Sequence, residues 1–185
     1  CQFLLLGILT VLAPGQQLMT CWKWMIASIY FWSAMSKCDA AFLVSHGPLL
    51  LNGMLSPLGV QVAQWAPQTK NVLVACFPAG ELATAILLLI PRVRKWGLWA
   101  SLLMHGVLIW TLGWGLKHEW GVLIWNLFFI VQNLLVFGPD VRSPRLALPQ
   151  SNPLGQPGGT RSALVLTVLI CLYPGLEMIG LCDHW

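Results

Sequence analysis

Charge is scarce in this chain. Asp, Glu, Lys and Arg make up 9% of its 185 residues, against about 25% in an ordinary soluble domain. Hydrophobic residues make up 57%, and the mean hydropathy is +0.74. One soluble core of this size cannot hide several apolar runs of bilayer-spanning length, so a soluble domain is excluded. A long cationic stripe is also missing. The formal net charge of +4 comes from scattered residues and short loops, so nucleic acid is not a partner. The six cysteines, Cys1, Cys21, Cys38, Cys76, Cys171 and Cys182, include no C-x-x-C pair. That removes the strongest sequence argument for a thiol redox enzyme. Metal-ligand spacing is absent too, because the adjacent Cys182-Asp183-His184 rarely closes a coordination sphere alone. No repeat of solenoid period occurs.

What remains is a series of apolar runs. The composition predicts an all-α, polytopic transmembrane bundle with a four-helix core, about five complete spans and one partial N-terminal span. The predicted spans are 17–37, 71–90, 96–113, 120–138 and a last one within 162–185. Gln2 to Ala13 lacks the basic leader of a signal peptide and reads as the remainder of a span. The chain begins at Cys1 inside that run and stops at Trp185 just after another, so both ends are expected to be edges of a longer protein. Segment 38–70 is apolar but punctuated by Gly47, Pro48, Gly53, Pro57, Gly59 and Pro67, which forbids one long helix. Short interfacial or re-entrant helices are expected there. Segment 139–161, rich in Pro, Gly and Ser, reads as a linker outside the bilayer.

Arg92, Arg94 and Lys95 lie in one loop and Arg142, Arg145 and Arg161 in another, two spans away. The positive-inside rule makes loops 91–95 and 139–161 cytoplasmic, in what is expected to be a bacterial inner membrane. Trp22, Trp96, Trp99, Trp110, Trp114, Trp120 and Trp185 fall near predicted span ends, as an aromatic belt requires. Lys23 is placed to snorkel to the headgroups, and Lys37 and Asp39 to anchor at the opposite end or contact a quinone or lipid head. Cys76 and Cys171 read as apolar, buried thiols. Cys38, Cys76 and Cys182 share the outer side, where two of them could pair if that side is oxidising.

Glu81 is the only charge between Asn71 and Ile90, and His105 sits mid-way along the next apolar run. Counting 1.5 Å per residue, Glu81 lies about 14–15 Å from the outer end of its span and His105 about 13–14 Å from the inner end of the next. Both are near the midplane of a core roughly 30 Å thick. Ionisable groups at that depth are costly and mark function. A Glu81–His105 hydrogen bond is allowed, although depth does not fix helix rotation. Asn126, next to Trp125, could join as an orienting donor. Of Gln132 and Asn133, helix geometry lets at most one face the same place. The competing reading is interhelical packing.

The stretch Tyr30-Phe31-Trp32-Ser33-Ala34-Met35-Ser36-Lys37, followed by Phe42, resembles the first-helix region of DoxX-like and MauE-like membrane proteins. Glu81 with Leu87-Leu88-Leu89 and Pro91-Arg92 is similar to their second-helix signature. Met104-His105 and Trp125-Asn126 resemble positions in related proteins, including the horizontally transferred transmembrane domain of vitamin K-dependent γ-carboxylase relatives. The likeness covers roughly residues 20–138. It implies a four-helix membrane core, in some members attached to quinone-linked or thiol-linked redox systems. A Gly beside the Lys is replaced here by Ala34-Met35-Ser36, and the missing C-x-x-C argues against a thiol relay.

Two functions follow. In the first, the chain is a redox-associated subunit. Glu81 and His105 exchange a proton or bind a quinone-like head, Asn126, Trp125 and Lys37 line the site, and a redox subunit is the partner besides the lipid bilayer. In the second, the chain is a non-enzymatic membrane anchor or assembly subunit whose polar residues only pack helices. The residues do not decide whether it is an enzyme.

Overall fold

A computed structural model describes residues 15–117, 120–142, 165 and 167–173. Five α-helices account for most of them: α1 (Gly15–Ser36), α2 (Gly47–Leu55), α3 (Pro67–Leu89), α4 (Arg94–Ile109) and α5 (Trp120–Arg142). No strand occurs among the described residues. Residues 167–173 are also helical. The predicted N-terminal partial span, most of the linker and most of the last span lie outside the described residues.

The boundaries follow local chemistry. Beyond α1, the Lys37 and Cys38 amides bond back to Ala34 and Met35 at 3.1 Å each, which tightens the last turn and uses carbonyls the helix leaves open. Asp39 Oδ1 then accepts the Phe42 amide at 2.6 Å, and a π-helical turn, Phe42–His46, runs directly into α2. Two short 3₁₀ turns follow. Between them Gly59 takes φ 78°, its amide bonds Ser56 O and that of Val60 bonds Leu55 O. This Schellman closure needs a left-handed residue, hence glycine. Pro67 opens α3 at a position where its missing amide costs nothing. Pro91 follows its end.

Helices α1, α3, α4 and α5 close a four-helix ring: α1 packs on α3, α3 on α4, α4 on α5, and α5 back on α1. Among the described residues, three stretches are long and apolar enough to cross a membrane: Pro67–Leu89, Arg94–Gly115 and Trp120–Val141. The chain is an integral membrane protein with a helical bundle at its centre. α1 is as long but less hydropathic, because it carries Lys23, three tryptophans and several serines. The punctuated segment forms α2 and its flanking turns, which pack against the π-helical continuation of α4, Trp110–Gly115. α5 continues to Arg142, past the start expected for the linker, with Pro139 inside it.

Apolar side chains gather in two clusters. One fills the ring toward the α3–α4 turn and includes Met25, Ile26, Leu88, Leu98, Phe137 and Ile170. The other, Phe42, Leu51, Val62 and Val74, ties the α2 segment to α3. Glu81 stands between Val74 and Leu88 along α3, so its carboxylate lies between the two apolar clusters. Cys76 is exposed, against expectation, and Cys171 is half-buried; Cys21, Cys38, Cys76 and Cys171 are all free thiols. Cys76 lies on the outward face of α3, where neither cluster covers it. Cys182 lies outside the described residues.

Candidate functional site

Helix periodicity on α1 sets the site. Tyr30, Ser33 and Lys37 recur at spacings of three and four and therefore share one stripe. That stripe faces α3, α4 and α5 and carries two polar units, one on each of two successive levels.

The upper unit is an ion pair. Lys37 Nζ lies 2.9 Å from both carboxylate oxygens of Glu81. It also donates to Ser33 Oγ at 2.6 Å and Ser33 O at 3.1 Å. The Glu81 side chain is 9% exposed and that of Lys37 22%. Lys37 thus turns inward to a carboxylate instead of anchoring at the headgroups. A buried carboxylate without a counter-charge is too costly to keep ionised, and the long lysine stem on the facing helix supplies one. Lys37 is also the more exposed partner, so the pair is reached from the α2 end of the bundle.

The lower unit is a chain of neutral groups. Tyr30 Oη lies 2.8 Å from His105 Nε2, His105 Nδ1 lies 2.9 Å from Asn126 Oδ1, and Asn133 Nδ2 donates to Tyr30 Oη at 2.6 Å. Asn126 Nδ2 donates to the Val122 carbonyl at 2.9 Å. That last bond sets the direction of the rest. With its amide nitrogen committed to Val122, Asn126 offers its oxygen to the imidazole, so His105 Nδ1 carries the hydrogen and Nε2 is bare. Tyr30 accepts from Asn133 and donates to that bare nitrogen. The Phe129 ring stacks on the imidazole, centroids 5.2 Å apart and planes 3° from parallel. Tyr30, His105, Asn126 and Asn133 are all buried.

The geometry revises several expectations. Glu81 and His105 are both buried near mid-bundle, but they are not bonded to each other. Rotation of α3 aims the carboxylate at Lys37, while α4 aims the imidazole at Tyr30. Asn126 acts on His105 as an acceptor, not a donor. Trp125 is half-exposed, edge-on to Phe129 at 5.3 Å and stacked on Phe128 at 5.6 Å. Asn133 reaches the network and Gln132 does not; both Gln132 amide atoms are buried and unbonded, as is Asn133 Oδ1. His46 is exposed and paired with Ser45. Lys23 bonds Asp140 at 2.7 Å rather than snorkelling. Tyr30 is the functional candidate that depth counting missed. Its spacing of seven from Lys37 was the available signal.

What can this arrangement do? Its interior holds a carboxylate, an ammonium, a phenol and an imidazole. All are groups that give or take protons, and each is positioned by a bond to a neighbouring helix. No group of three or more His, Cys, Asp or Glu suited to a metal occurs among the described residues. No curated protein and no solved structure matches the chain. The profile of the family described as methylamine utilisation protein MauE matches residues 15–121, more than half of the sequence. That span contains Tyr30, Lys37, Glu81 and His105 and stops just short of Asn126. The chain belongs to the MauE family.

Proposed function

We propose that this MauE-type membrane protein is a redox-associated subunit whose interior polar layer exchanges protons with, or binds the head of, a quinone-like ligand. The observation that carries the reading is the pair of polar units on one stripe of α1: Lys37–Glu81 at a partly open level and Tyr30–His105–Asn126 one level deeper. Glu81 and Lys37 meet the ligand first. The imidazole, bare at Nε2, takes a proton through the Tyr30 hydroxyl, and Asn126 holds the ring in the tautomer that keeps Nε2 free. Ionisable groups inside a membrane bundle mark ion or proton paths by default. The family's description, methylamine utilisation, fits a subunit that serves a redox partner in that process. Loops 91–95 and 139–161 face the cytoplasm in this reading, and the membrane is the bacterial inner membrane.

A second reading rests on a specific feature of the same geometry. His105 has both ring nitrogens bonded within the bundle, as a residue that only packs helices would. The chain is then an anchor or assembly subunit. Binding of a short-chain ubiquinone to the purified protein in nanodiscs separates the two. The redox reading expects His105→Ala to weaken binding at least tenfold with helix content preserved. Equal affinity in the two proteins would remove it.

A further inference from the structure

A second site lies away from that network. Between the π-helical segment Trp110–Gly115 and the first turn of α5 is an open groove of about 450 Å³, lined by Trp110, Gly113, Trp114, Lys117, Trp120 and Leu123, with Ile109 at its deep end. Its size falls in the range of small-molecule sites, roughly 300–1,000 Å³. We propose that this groove retains one phospholipid, with the phosphate on Lys117 and an acyl chain running past Gly113 and Leu123 toward Ile109.

Position is the first argument. One membrane-crossing stretch ends at Gly115 and the next begins at Trp120, so the groove opens where headgroups lie. Shape is the second. Trp110 and Trp114 stack with centroids 5.9 Å apart and planes 8° from parallel, which makes one flat apolar wall. Trp110 cannot swing in to fill the space, because its Nε1 donates to Met54 O at 3.1 Å. At Gly113 the floor is the backbone itself, set against Leu123, whose methyls an added Cβ would touch at 3.4 Å. A π-helical turn widens the backbone here, a distortion common at ligand sites. Charge is the third. Among the described residues, Lys117 is the one charged residue lining the groove. It is exposed and holds φ 52°, a left-handed conformation that non-glycine residues adopt at a cost. An apolar slot with one cation at its mouth suits a tail with one phosphate. It offers a neutral quinone head few polar partners and an acidic peptide too few cations.

Native mass spectrometry of the whole chain, released from nanodiscs of phosphatidylethanolamine and phosphatidylglycerol, tests this. Wild type is expected to keep one phospholipid per chain. Lys117→Gln and Trp114→Ala should each cut the retained fraction at least fivefold, Lys117→Arg should keep it, and Lys95→Gln at the far end should not change it. Millimolar inorganic phosphate should not displace the lipid. Absence of retained lipid in wild type, equal retention in Lys117→Gln, or loss in Lys117→Arg matching that in Lys117→Gln would overturn the proposal. So would displacement by phosphate, which would mean an anion site with no role for the tail.

Discussion

Among the described residues the bundle carries two charged clusters, and they are built differently. At the α3–α4 turn, Asp140 is shared by Lys23 and Arg94. The same Arg94 donates to the Leu88 and Leu89 carbonyls at 2.9 and 3.5 Å and lies over the Phe137 ring. Every contact there has a structural purpose. The last carbonyls of α3 have no intrahelical donor and receive one, and three helices are fastened by one carboxylate. The Lys37–Glu81 pair touches one helix end, through the bond from Lys37 to the Ser33 carbonyl in the last turn of α1, but its carboxylate lies inside the bundle. It sits one level above an imidazole and a phenol, between two apolar layers. Charges that finish helix termini fasten the fold. A charge pair in the interior, next to an imidazole and a phenol, is the better candidate for chemistry.

That contrast can be broken by exchange. Glu81→Gln should weaken quinone affinity at least tenfold, about 1.4 kcal/mol, with the helices intact. Asp140→Asn should leave affinity within twofold but lower unfolding stability in detergent by about 1–3 kcal/mol, since two cations lose their counter-charge. The reverse outcome, with Glu81→Gln altering only stability, would favour the packing reading. Tyr30→Phe sharpens the comparison on the inner side. It removes the acceptor of Asn133 Nδ2 and the donor to His105 Nε2, and should cost about 1–3 kcal/mol. It should also shift the His105 Nε2 resonance to that of a nitrogen without a hydrogen bond, read by ¹⁵N NMR. The smallest effect concerns orientation. A variant keeping Cys38 as its only cysteine should react with a membrane-impermeant maleimide added outside intact cells. Labelling only after the cells are opened would place the two clusters on the opposite sides.

The sequence read the class well. Low charge, run length and the tryptophan positions led to a helical membrane bundle; counting residues put Glu81 and His105 near the same level, whereas they belong to polar units on successive levels of α1. Partner choice was not legible, because depth does not set rotation. A carboxylate at mid-span can face any neighbour, and its counter-ion came from Lys37, which sequence position alone places at a headgroup. Tyr30 was hidden in an aromatic run where Phe31 and Trp32 look equivalent to it. Only the face shared with Lys37 distinguishes it. Gln132 shows the opposite case. It is buried with both amide atoms unbonded, and nothing among the described residues accounts for it.

The link between Lys23 and Asp140 spans 117 positions. A ribosome completes α1 long before it makes the aspartate, so the lysine enters the insertion machinery bare. A naked positive charge beside a nascent helix resists being carried across. In the orientation proposed above, with the α3–α4 turn cytoplasmic, the residue that later clasps the finished bundle also serves, during synthesis, as an address for its own end of α1.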